Sequence, residues 1–123
     1  MATMKDLGGS YARNAGADLS EKLFYLTKVD TDGDIVLAAA ATDFVLGPVL
    51  EAAVQDKPVT VQYLGEGKAI TGGAITAGDR LTSDSAGKAI ATTSSGNNVF
   101  GVALESAASG AIVPFVFLRG QVA

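Results

Sequence analysis

With 123 residues the chain has room for one domain and one modest core, burying roughly two thirds of the surface it exposes when unfolded. It contains no His, Cys or Trp, which removes the commonest general base, every thiolate nucleophile, the usual zinc and haem ligands and any disulfide scaffold. Nine Lys plus Arg against thirteen Asp plus Glu give a net charge of -4 and a pI near 4.6, the wrong sign for neutralising phosphates, so nucleic acid is not an expected partner.

Apolar residues make up 48% but aromatics only 7%, so the core must be built from small aliphatic side chains. The longest apolar runs, Ile35 to Ala41 and Ala111 to Leu118, are strand-sized and far short of the roughly 18 residues that cross a bilayer; no membrane partner is expected. In chain order, residues 1–20 scatter Leu7, Tyr11 and Leu19 among Gly, Ala, Ser and Asp with no period of two or 3.6, and read as a flexible N-terminal arm. Its first residues lack the apolar stretch of a secretory signal. As a segment that orders on a partner, the arm would use Leu7, Tyr11 and Leu19 as anchors and Lys5 and Arg13 as charge contacts.

From residue 21 to 123 the pattern is that of one β-rich domain, with short segments separated by Gly, Asp and Ser clusters. Strands are expected at 22–28, 34–38, 44–51, 58–64, 68–76, 79–82, 88–92, 98–105 and 111–118. Val59, Val61 and Tyr63 alternate with Thr60 and Gln62 as a half-buried strand should. Between 38 and 53, four consecutive Ala and Val49 to Ala53 allow one short helix, which Pro48 restricts to a start near itself. The fold class is therefore all-β with room for one short helix, as a small barrel or sandwich.

The chain resembles itself at an offset of 54 residues. Gly47, Leu50, Glu51 and Ala53 fall on Gly101, Leu104, Glu105 and Ala107, Asp30 and Gly33 on Asp84 and Gly87, and Val59, Val61 and Tyr63 on Val113, Phe115 and Phe117. Leu26-Thr27 aligns with Leu81-Thr82 if one residue is slipped. The expected repeats are 24–64 and 78–118, two pseudo-symmetric β units, with the glycine-rich stretch 65–76 crossing between them as a linker or extra strand.

Motifs that suggest chemistry have simpler readings. Asp30, Asp32 and Asp34 alternate like cation ligands, but an EF-hand loop needs Gly at its sixth position and Glu at its twelfth. Here Gly33 is fourth and Ala41 twelfth, and the second copy replaces two carboxylates with Ala86 and Lys88; a hairpin turn is expected. Glu51 and Glu105 could meet across a pseudo-twofold as a glycosidase pair, yet the aromatic residues of a sugar cleft are missing and each Glu precedes a turn. No Ser-x-x-Lys and no phosphate loop occurs. No catalytic, cofactor or metal residues are assigned, and no enzymatic activity is expected. Ala111 to Leu118 is apolar on both strand faces, as in a central strand covered by loops or a strand whose second face packs against another subunit; Pro114 lacks an N–H and favours an edge or bulge, which tilts the reading towards a subunit interface through Ile112, Pro114, Val116 and Leu118.

Pro58-Val59-Thr60-Val61, the run Gly72-Gly73-Ala74-Ile75-Thr76-Ala77-Gly78-Asp79-Arg80-Leu81-Thr82-Ser83-Asp84, Gly87-Lys88-Ala89 and Gly101-Val102-Ala103-Leu104-Glu105 resemble the tailed-phage capsid decoration, or cement, proteins of the DUF2190 type. The resemblance covers about residues 44–118. It implies a structural protein on the outer capsid surface of the virion, made in the host cytoplasm, that binds the major capsid protein of the mature head and stabilises it by clamping neighbouring capsomers. It also implies a homotrimer, since threefold sites are common docking points in resembling proteins, and brings no cofactor. On this reading the arm residues Lys5, Leu7, Tyr11, Arg13 and Leu19 become capsid contacts, and deleting residues 1–20 should leave the core folded while weakening binding. A carbohydrate- or ligand-binding β module on a virion or secreted assembly is the alternative, and requires an exposed aromatic platform, for which the candidates are Phe24, Tyr25, Phe44, Tyr63, Phe100, Phe115 and Phe117, with Tyr11 in the arm.

Overall fold

The computed structural model describes residues 9–123. Its strands are β1 (Ser10–Asn14), β2 (Leu26–Val29), β3 (Ile35–Leu37), β4 (Gly47–Glu51), β5 (Pro58–Gln62), β6 (Glu66–Ile70), β7 (Arg80–Ser83), β8 (Ala89–Ala91), β9 (Asn98–Ala103) and β10 (Ile112–Gln121). They form two five-stranded antiparallel sheets ordered β1-β5-β4-β2-β3 and β6-β10-β9-β7-β8. The molecule is all-β and sandwich-like. Neither sheet closes into a barrel; within each, the two outer strands approach only at a single isolated parallel bridge, Ala15–Ile35 in the first and Thr71–Ala89 in the second. No helix occurs among the described residues, and Ala38 to Ala41 instead lead into a turn.

The two sheet orders are the same order, so the duplication holds strand for strand. Leu26 faces Pro48 and Thr27 faces Gly47 as Arg80 faces Val102 and Leu81 faces Gly101. Thr27, Lys28 and Val29 face Leu37, Val36 and Ile35 as Leu81, Thr82 and Ser83 face Ala91, Ile90 and Ala89. This register equates Thr27 with Leu81, so the slipped match of Leu26-Thr27 to Leu81-Thr82 is a coincidence of composition. The turns repeat in detail. Asp30 Oδ1 accepts the N–H groups of Asp32 and Asp34 at 2.9 Å each; Asp84 Oδ1 accepts those of Ala86 and Lys88 at 2.8 and 2.9 Å. Gly33 and Gly87 supply the positive φ that closes each turn.

The repeat is longer than 24–64 and 78–118, because each copy opens with a strand ahead of those bounds. β1 pairs β5 from Ser10–Gln62 to Asn14–Pro58, and β6 pairs β10 from Glu66–Val116 to Ile70–Ile112. Residues 10–19 are thus part of the domain, not an arm: Ala15 and Leu19 are fully buried, and the Leu19 N–H donates to Ala53 O as that of Ile75 does to Ala107 O. Likewise 65–76 contains β6, the first strand of the second copy. Gln62 fastens the join, its Nε2 donating to Leu64 O at 3.0 Å and Glu66 O at 2.6 Å.

Packing follows the same plan. Ala15, Leu19, Ile35, Val49, Val59 and Val61 form one core. Ala69, Ile75, Leu81, Ala89, Phe100, Ala103, Val113 and Phe115 form the other, joined by Leu26, Ala38 and Val45 of the first copy. Each fully buried Val, Leu, Ile or Phe contributes about 1.5–3 kcal/mol. Phe100 meets Phe115 edge-on at 5.0 Å, giving the second core the bulk that Leu46 and Val61 supply at the matching positions of the first.

Candidate functional site

β10 carries an exposed apolar row. Val113 and Phe115 point into the core, so alternation turns Ile112, Pro114, Val116 and Leu118 outward. Ile112 is 42%, Val116 38% and Leu118 63% exposed, with Pro114 half-buried. Neighbouring strands flank the row with Ile70 opposite Ile112 and Val102 opposite Val116, and with the exposed charges Lys68 opposite Pro114 and Glu66 opposite Val116. In the first copy the same face carries Asn14 opposite Pro58, Ala12 opposite Thr60 and Ser10 opposite Gln62. The outer side of β10 is therefore apolar at all four positions, whereas the matching stretch of the first copy has Thr60 and the buried Gln62 at the middle two.

Pro114 does not mark an edge, since β10 lies between β6 and β9. Its carbonyl accepts the Leu104 N–H at 2.9 Å, so its nitrogen also turns towards β9, where that strand ends at Ala103. The missing N–H therefore leaves the pairing with β6 untouched.

A second feature lies where the copies meet. Arg119, at the far end of β10, donates to the carbonyls of Val45, Leu46 and Tyr63, the last two at 2.7 and 3.1 Å. Its guanidinium stands 5.3 Å from the Phe44 ring centre and 5.0 Å from that of Phe117, within cation–π range. Burial lowers its pKa from the ordinary arginine value, the direction expected when a cation loses water. Beside it opens a cavity of about 410 Å³ lined by Phe44, Val45, Asn98, Val99, Phe100 and Arg119, among others. Phe44 is 70% exposed. Composition and periodicity do not single out Arg119, and offer Phe44 only as one of several aromatics for a ligand platform; the signal for the pair lies in mismatch, because the 54-residue offset sets Phe44 on Asn98 and Arg119 on Gly65.

The other expected residues disperse. Lys5 and Leu7 lie outside the described residues. Tyr11 faces Val61 within β1, and exposed Arg13 donates from Nε to Gly33 O at 3.0 Å. Leu19, 1% exposed, is a core residue and no surface anchor. Glu51 ends β4 in the first sheet and Glu105 lies in the bend that follows β9 of the second, both exposed, and Glu51 accepts the Thr60 hydroxyl at 2.9 Å. Among the aromatics weighed as a ligand platform, Phe100 and Phe115 are buried, Phe24, Tyr25 and Phe117 are half-buried, and Phe44 and Tyr63 are exposed.

Comparison with known proteins bears on these surfaces. Residues 24–119 match the phage cement protein family. The chain belongs to that family. Membership gives this cement protein a structural role in the phage head. In fold it is similar to the N base of head fiber gp8.5 of bacteriophage phi29, at 24% identity and a TM-score of 0.73, covering 93% of this chain and 97% of that one. No curated protein matches it. The family match begins at Phe24 and so leaves out β1, which the fold nevertheless requires.

Proposed function

We propose that this cement protein decorates the outer surface of the mature head, binds the major capsid protein and stabilises the shell by clamping neighbouring capsomers. The observation that carries the reading is the exposed apolar row of the second copy, Ile112, Pro114, Val116 and Leu118, whose two middle members stand where the first copy has Thr60 and Gln62. Apolar side chains held at an open sheet face cost solubility unless a protein covers them. We assign this row to contact between copies in a homotrimer, leaving other surfaces for the capsid. A ligand that binds only the assembled shell stabilises it by mass action, and several weak contacts per oligomer add through multivalency.

The test is cosedimentation of purified protein with expanded heads stripped of it, scored as copies per head and as survival of the heads under heat. Saturable binding at a copy number matching the icosahedral sites, with better survival, supports the reading. Heads that bind nothing refute it. Light scattering on the free protein and on Leu118→Ser tests the interface, which fails if both have the same mass.

A further inference from the structure

We infer that the groove between Phe44 and Arg119 receives an acidic segment of the capsid partner, one carrying a carboxylate next to an apolar side chain; this rests on the capsid-binding reading above. Three observations converge. First, the groove is built by residues that break the internal repeat. Phe44 replaces the Asn98 type, and Arg119 replaces Gly65. Asn98 instead uses its amide to bond Thr42 O and Asp43 O, at 2.8 and 3.3 Å, and so fixes the loop that presents Phe44.

Second, Arg119 is a cation without a counter-ion. Among the described residues no carboxylate lies within ion-pair distance of it, the one ion pair there being Lys28–Asp43 at 3.2 Å. Its three bonds go to neutral carbonyls, and a guanidinium has five donors in a plane suited to a carboxylate. Third, the wall beside it is apolar. Phe44 is largely exposed over a floor of Val45, Val99 and Phe100, so a partner group that ends in a carboxylate can bury carbon against this wall while its charge meets the guanidinium. A cation–π stack of Arg119 between two rings also fixes the fork in one orientation.

The experiment uses the full chain and stripped heads. Phe44→Asn installs the residue of the second copy at an exposed position and removes one cation–π contact, so melting should stay within about 4 °C of wild type, while affinity for heads falls about tenfold or more. Arg119→Met should remove most of the salt dependence of binding; because Arg119 also ties the copies together, its melting is read alongside and the deciding variant is Phe44→Asn. Equal binding of Phe44→Asn on heads that wild type decorates overturns the inference alone. Wild type failing to bind overturns the capsid reading and the inference with it. A changed mass of free Phe44→Asn assigns the groove to contact between copies, and also overturns it.

Discussion

Gly47 and Gly101 occupy equivalent positions on β4 and β9, and the duplicated fold makes alanine at the two sites a graded test of the packing argument. A Cβ on Gly47 would stand 1.6 Å from the backbone oxygen of Gln62, at a φ of +155°. Reaching the 3.4 Å of an ordinary contact needs 1.8 Å of movement against backbone, which would pull β4 from β5 and open the Val49–Val61 pairing. At Gly101 the Cβ would stand 2.6 Å from Val116 O and 2.7 Å from the Phe115 ring, without a disfavoured φ. Overpacking costs about 1–3 kcal/mol and a disfavoured backbone about 1–3 more, against about 0.4–1 kcal/mol returned by restricting the unfolded chain. Gly101→Ala should therefore lose about 1–2 kcal/mol, or roughly 4–8 °C of melting temperature for a domain this size. Gly47→Ala should lose at least twice that, a large share of the roughly 5–15 kcal/mol of a whole domain. Thermal and urea unfolding followed by circular dichroism measure both. Gly47→Ala melting within a few degrees of wild type, or above Gly101→Ala, would refute the reasoning.

The remaining predictions are narrower. Deleting residues 1–20 removes β1, Ala15 and Leu19, so the truncated chain should lose cooperative unfolding, contrary to the sequence-based expectation; a wild-type melt would show that β1 is dispensable. Burial pushes the Asp43 carboxyl up, but the Ala39 N–H, the Lys28 ammonium and the Ala40 N–H outweigh it and hold its pKa below the ordinary value. A lowered folded pKa means stability present above the unfolded value near 4 and lost as pH falls through the folded one. Asp43→Asn should thus be less stable than wild type at pH 7, by under about 1 kcal/mol at this partly exposed site, and the difference should vanish in acid; urea titrations at several pH values measure it, and a gap that persists at low pH counts against the carboxylate.

Much of the fold was legible because alternation and turn chemistry survive in the sequence. Val59 and Val61 announce β5, and Asp30 with Gly33 announce the β2–β3 turn. β1 was not legible, and its composition says why. Ser10, Ala12 and Asn14 lie on the polar outer face, while Arg13, opposite Val59, reaches solvent, so no apolar period forms. Its counterpart β6 shares none of its residues, and the offset there is 56 rather than 54, as Asn14 and Ile70 show through their partners Pro58 and Ile112. Only backbone hydrogen bonds preserve the equivalence. The Phe44–Arg119 groove stayed hidden for the opposite reason: a search for self-similarity rewards matches, whereas these residues are where the copies differ.

The unequal sharing of the two cores has a consequence for how the chain is made. Every member of the first core comes from residues before Gln62, whereas the second borrows Leu26, Ala38 and Val45 from its predecessor. On a ribosome the first core thus has all its members while the second copy is still being synthesised, and only Leu26, Ala38 and Val45 wait to be covered, in keeping with the N-terminal-first folding of tandem units. The second copy then completes itself on a surface already in place, so that a lesion early in the chain is inherited by both halves and one late in the chain by only one.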